Sequence, residues 1–272
     1  MRKIYLGGLL MFLIVCFCGC SHSKKKAQQL LTIAEQAIQE GNYPYAKQMI
    51  DSIKASYPKA FDERKKGLEL TRTIRLLENR RNIAYCDSLI HIKEKEKKEL
   101  VSDFQYVKEA EYDELGTYYP KNYLPEVSLQ QSGLRSGVSE KGMLFIESVW
   151  LGAKINHHCI KIITPDAEYA ETKSVTDEGL NYSFTTQHNR YEIVRYTKEN
   201  ENGVAAFIYA FNEHPLNLTF IGTKSHSIPL SVAQKKALIK SFELSTLLQE
   251  IEKLKFEKEK SETLIKYLEQ KK

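Results

Sequence analysis

The tetrapeptide Asn156-His157-His158-Cys159 offers the best metal-ligating chemistry in the chain. On a strand, His157 and Cys159 share a face and can both reach a zinc ion, while His158 points the other way. A tetrahedral site takes three or four ligands. No second cluster accompanies this one, so no metal is expected. His188, His214 and His226 stand in or near loops with no Ser or Cys in a nucleophile context. Gly222-Thr223-Lys224-Ser225-His226-Ser227 is not the G-x-S-x-G elbow of a strand-to-helix nucleophile. Neither G-x-x-x-x-G-K-[ST] nor G-x-G-x-x-G occurs, so no phosphate loop is encoded. The expectation is a protein that is not an enzyme, with no catalytic residue and no cofactor.

Carboxylates are plentiful but fall in helical runs, Glu94, Glu96 and Glu99 and then Glu250, Glu252, Glu257 and Glu259, which read as solvated helix faces. Forty Lys and Arg against 35 Asp and Glu give a net charge of only +5. The basic run Lys93–Lys98 carries Glu94 and Glu96 within it, a mixture that argues against nucleic acid. Trp150, the single tryptophan, falls on a strand with Leu144, Ile146 and Ser148 on its face, and reads as core.

Three blocks must position these residues: helical, strand-rich and helical. Apolar content of 42% is enough to build a core. Residues 27–113 are the first helical block. Leu30, Ile33, Ala34, Ala37 and Ile38 recur at helical spacing, Gly41-Asn42 breaks the helix, and Pro44 suits the first turn of the next. Ala46, Ile50 and Ile53 follow on one face up to Pro58. A long helix over 61–112 comes next, free of proline, and 40 to 50 helical residues would span about 60–75 Å. Residues 114–127, with Gly116, Pro120, Pro125 and three tyrosines, read as a linker.

Residues 128–230 alternate with period two. Strands are expected at Ser128–Leu134, Met143–Leu151, Ile155–Thr164, Glu168–Lys173, Tyr182–Thr186, Arg190–Thr197, Val204–Asn212 and Leu216–Gly222. Glu199-Asn200-Glu201-Asn202-Gly203 reads as a hairpin turn. Connections this short imply antiparallel pairing, in one curved sheet or a sandwich of about seven or eight strands. From Ser231, a residue type that caps helix N-termini, residues 231–272 are expected to form a long helix with a coiled-coil-like seam of Leu247, Ile251, Leu254, Ile265 and Leu268, interrupted at Lys258 and Ser261. The fold class is α+β. The seam needs a helical partner, either the 61–112 helix of the same chain, which is favoured, or the same helix of a second chain. The protein is then a monomer or a coiled-coil homodimer.

Behind Arg2 and Lys3, Leu6 to Phe17 is an apolar run shorter than the roughly 20 residues that cross a bilayer. It ends in Phe17-Cys18-Gly19-Cys20. This resembles the lipobox of bacterial lipoproteins, with Phe17 where Leu is usual. The resemblance implies that residues 1–19 leave as a signal peptide, that Cys20 is acylated and becomes the new N-terminus, and that residues 20–26 form a lipidated tether. Two or three acyl chains anchor a protein stably. Ser21 then implies an outer-membrane address, and Lys24-Lys25-Lys26, in place of an acidic tract, implies the periplasmic side of a Gram-negative envelope. An ordinary signal peptide or an N-terminal membrane helix is the other reading of this run. Cys86 and Cys159 would remain, and nothing in their spacing asks for a bridge.

Gly41, Tyr43, Ala46 and Pro58 match the Gly, Tyr, Ala and Pro positions of a tetratricopeptide hairpin, and the resemblance covers one repeat. It implies a helical hairpin more than a peptide-binding array, since such arrays need three or more units. Asp51-Ser52-Ile53 and Asp87-Ser88-Leu89 resemble an O-glycosylation triplet of some Gram-negative anaerobes. Together these readings point to a lipid-anchored envelope protein with a non-catalytic protein-interaction or spacer role, its partners the membrane and an envelope protein. The alternative is a small-ligand module, for a glycan or peptide, built on the β domain.

Overall fold

The computed structural model describes residues 23–108, 114–124, 130–177 and 179–270. The fold is α+β, with five helices and two antiparallel sheets among these residues. The chain groups into two compact units, residues 1–87 with 256–272, and residues 88–255. The boundaries fall inside the two long helices.

In the first unit, α1 covers residues 23–39, α2 Tyr43–Ser56 and the start of α3, Phe61–Leu100. The break between α1 and α2 is local chemistry. Gly41 takes a left-handed φ of 74°, the Asn42 side chain caps α2 by accepting from the Tyr45 N–H at 3.3 Å, and Pro44 lies in the first turn. Small residues then let the helices close up. Ala34, Ala37, Ala46, Ile50 and Ile74 form one cluster, and Ala27, Leu31, Ile53 and Ala60 another. At Gly67 a Cβ would stand 3.1 Å from the Ile50 side chain, so α3 approaches α2 where it has no side chain. The end of α5, Val232–Gln270, runs antiparallel to α3 here: Asp87 pairs with Lys258, Asn82 with Ser261, and Arg72 with the Leu268 carbonyl.

In the second unit one sheet has the order β1-β2-β3-β4-β8-β7, from Phe104–Val107, Thr117–Pro120, Gly133–Ser139, Leu144–Leu151, Arg190–Thr197 and Asn181–Thr185. The other has the order β10-β9-β5-β6, from Ser225–Pro229, Asn217–Ile221, Cys159–Ile163 and Tyr169–Glu171. Leu134, Ile146, Val194 and Tyr196 of the first sheet share one core with Ile160, Ile162, Leu218 and Phe220 of the second. On the β3 side the same face is covered by α5, where Ser136 meets Ser241 at 2.9 Å and Val138 packs with Leu244 and Leu248.

Several expectations are corrected. The helix predicted over 61–112 ends at Leu100, because the alternating Phe104-Gln105-Tyr106-Val107 pairs with β2 inside the supposed linker. Val204–Asn212 is not a strand. Val204–Ala210 is helix α4, which buries Val204, Ala205 and Ile208 on one side. The supposed hairpin turn is its start: Gly203 takes a left-handed φ of 82°, and the Glu201 carboxylate accepts from the Gly203 and Ala205 N–H groups. The β block of 128–230 holds eight strands among its described residues, β3 to β10, with β10 unexpected and Val204–Asn212 lost, and β1 and β2 stand ahead of it. Ser128–Leu134 yields a strand only from Gly133, its first two residues lying outside the described set.

Candidate functional site

His157 and Cys159 do not converge on a common ligand position. His157 lies just before β5, with its ring in the core between the sheets. Its Nε2 is 2.8 Å from the Ser148 hydroxyl and its Nδ1 is 3.3 Å from Glu192 Oε2. Cys159 faces Glu171 Oε1 at 3.8 Å, and burial pushes its thiol up to about 11. His158 bonds Ser174 near the surface. Among the described residues no group of three metal-ligating side chains forms.

The Ser148–His157–Glu192 spacing is that of a proton relay, which residue order alone conceals. Glu192 accepts from the backbone N–H of Ile155, Asn156 and His157 as well. With Glu192 accepting from Nδ1–H, Nε2 is left to accept the Ser148 hydroxyl proton. The Tyr196 hydroxyl stands 3.3 Å from the same oxygen. Burial lowers the His157 pKa, with Glu192 opposing, so the ring is held neutral. Burial works to raise the Glu192 pKa, but the backbone donors and His157 outweigh it and keep the carboxylate ionised. Ser148 and His157 are both 0% exposed, and Phe220 packs edge-on against the imidazole. The Ser148 hydroxyl is closed off from solvent in this arrangement. Its chemistry is to fix the segment 155–158 against β4 and β8 through satisfied buried polar groups.

The opposite face of the six-stranded sheet carries a charge cluster. Glu147 Oε2 meets Arg135 Nε at 2.5 Å, and Oε1 meets Arg195 Nε at 2.7 Å. Arg195 also lies over the Phe145 ring at 4.3 Å. Beyond it, Tyr182, Phe184 and Tyr191 stack along β7 and β8, with ring centroids 6.5 Å and 4.9 Å apart, and Tyr182 and Phe184 are exposed.

A groove of about 660 Å³ lies between the end of α3, α4 and α5 in the second unit. Tyr209 and Phe242 form its floor with ring centroids 5.1 Å apart, beside Leu100 and Leu247. Glu96, Glu99, Asp103, Glu243 and Glu250 rim it. Asp103 and Glu250 are neutralised by Lys240 and Lys93 at 2.6 and 2.5 Å. Glu96, Glu99 and Glu243 form no ion pair among the described residues. The groove is thus an apolar floor under a net negative rim.

The predicted seam divides between the units. Leu247, Ile251 and Leu254 line α5 in the second, Ile265 and Leu268 in the first, and Leu247, Ile251 and Leu268 are buried. Cys20 and the lipobox lie outside the described residues. No described helix is long and apolar enough to cross a membrane. Ser52 and Ser88 of the two triplets sit on α2 and α3, and Ser52 donates to the Gln48 carbonyl at 2.8 Å. Cys86 and Cys159 are buried free thiols. Sequence reasoning assigned Glu96, Glu99 and Glu250 to solvated faces and passed over Tyr209 and Phe242. Only the misread α4 could have signalled the floor. Comparison with family models, curated proteins and solved structures finds no match to this chain.

Proposed function

We propose that this chain is a lipid-anchored, non-catalytic protein of a Gram-negative cell envelope that holds a basic segment of a partner protein in the α3–α4–α5 groove. The observation that carries this reading is the aromatic floor of Tyr209 and Phe242 under three carboxylates that form no close ion pair among the described residues, on a chain whose net charge is +5. Aromatic anchors in a partly enclosed floor are what protein interfaces use for affinity, and a rim of one sign selects a partner of the other. Acylation of Cys20 would supply the anchor, and Ser21 the outer-membrane address on the periplasmic side.

A photocrosslinker placed at Thr246, on the groove wall, tests the reading in cells. The expected result is one crosslinked envelope protein whose capture is lost in Glu99→Lys/Glu243→Lys. Equal capture by the reversed variant overturns it. A second reading, a glycan or peptide module, draws on the exposed Tyr182 and Phe184 stack, since sugar rings pack on aromatic faces. Oligosaccharide binding abolished by Tyr182→Ala/Phe184→Ala, with the groove variant unaffected, would favour that reading instead.

A further inference from the structure

We infer that one end of the first unit, formed by the start of α1, the end of α2 and the start of α3, is a seat for an anionic lipid surface. The inference rests on the proposed acylation for its placement and on the structure for its chemistry. Lys24 Nζ pairs with Asp62 Oδ2 at 2.9 Å, and Ala27 packs with Ile53 and Ala60. The first turn of α1 therefore lies beside the first turn of α3. At that end stand Phe61, 73% exposed, and Leu68, 70% exposed. They line a groove of about 530 Å³ over Ile50, flanked by Lys54, Arg64 and Lys65.

The charge there is one-sided. Residues 23–26 and 51–68 contain eight Lys and Arg against Asp51, Asp62 and Glu63. Of those three carboxylates Glu63 is buried and Asp62 is taken by Lys24. Exposed apolar side chains ringed by cations are the pattern of a surface that dips into the headgroup layer while its lysines meet anionic lipid. The chain that lies outside the described residues ends at this place. From Cys20 to Ser23 it can reach at most about 10 Å. Acyl chains on Cys20 would enter the bilayer within that distance of Ser23, the residue before Lys24, so this end of the unit is the one the anchor brings to the membrane.

The test uses two forms. The chain from Ser21, which keeps every described residue and no lipid, is floated with vesicles of phosphatidylcholine alone or mixed with phosphatidylglycerol. The acylated full chain carries a fluorophore at Leu68→Cys and is reconstituted in the mixed vesicles with a headgroup-level quencher. Expected are flotation with the anionic vesicles only, at least tenfold weaker in Phe61→Ser/Leu68→Ser and reduced by salt, and quenching of the Leu68 probe. Circular dichroism of the double variant checks that it stays helical. No flotation of the wild type with anionic vesicles, or an unquenched probe on acylated protein, overturns the seat. Absence of palmitate on the wild-type protein would instead remove the anchor, whatever the vesicles show.

Discussion

Asn82 donates its side-chain amide to the Ser261 hydroxyl at 2.9 Å, in the contact of α3 and α5, and the Ser261 hydroxyl donates in turn to the Glu257 carbonyl. Next along, Lys258 reaches Asp87 at 2.6 Å. The two residues that interrupt the α5 stripe are each met by a complementary group on α3. A buried polar match of this kind fixes the register of two helices, because sliding one turn leaves both partners unsatisfied.

Ser261→Ala is expected to destabilise the first unit by about 1–2 kcal/mol, the penalty for a half-buried amide that loses its acceptor. Asn82→Leu with Ser261→Ala replaces both partners by apolar groups of similar shape and is expected to recover most of the loss. Urea titrations followed by helical circular dichroism measure both. A double variant as weak as the single one would show that the pair sets no register.

Acid is expected to weaken the second unit from mildly acidic pH downward. His157 titrates in the folded state below its ordinary value of about 6.5, so on acidification the unfolded chain takes the proton first. The unfolded state then binds more protons, and stability falls with pH by up to about 1.4 kcal/mol per unit for this one group. Glu192, also lowered, adds the same sign of slope at lower pH. The ring is faced by Ser148 from β4, Glu192 from β8 and Phe220 from β9, with the Tyr196 hydroxyl behind Ser148 and His158 next in the chain, while Arg190 lies 3.9 Å from Glu192. Trp150 fluorescence in urea between pH 7 and 5 reads the slope. His157→Gln, which keeps a donor and an acceptor, should flatten it.

Glu147 holds Arg135 and Arg195 with both oxygens. Glu147→Gln is expected to lower stability by about 3 kcal/mol, the low end for breaking a buried pair, since Arg195 is partly exposed. The same Trp150 titration at neutral pH checks it. A loss under about 1 kcal/mol would mean the cluster behaves as a surface pair.

The sequence discloses what is decided locally. Gly41-Asn42-Pro44 carries its own break and cap, Ser231 accepts from the Gln234 N–H at 3.1 Å as a first-turn cap should, and β8 occupies Arg190–Thr197 as its alternation predicts. What failed was decided at a distance. Val204-Ala205-Ala206-Phe207-Ile208 is apolar enough for either state, and it is helical because Glu201 caps it and the core takes one face of it. Once α4 is misread, Tyr209 cannot be placed beside Phe242, and the groove that joins them to Glu96, Glu99 and Glu243 disappears from view. The Ser148–His157–Glu192 contact was hidden for the same reason, since its members come from β4, the approach to β5 and β8.

The last expectation concerns Ile251. It is buried on α5 in the second unit with Leu247 and Leu248, and ion pairs from α3 stand close by in sequence, Lys93 with Glu250 and Glu94 with Lys255. Each buried Leu or Ile of this stripe contributes roughly 1.5–3 kcal/mol, and a charged helix draws little stability from propensity alone. The chain covers Ile251 by itself, so a second copy of the helix is not needed to bury it. The chain from Ser21 is therefore expected to scatter light as a monomer. Ile251→Asp, which sets an unpaired carboxylate in that contact, is expected to lower helicity and stability by an amount that does not vary with protein concentration. A wild-type dimer that Ile251→Asp converts to a folded monomer would show that this stripe serves a second chain.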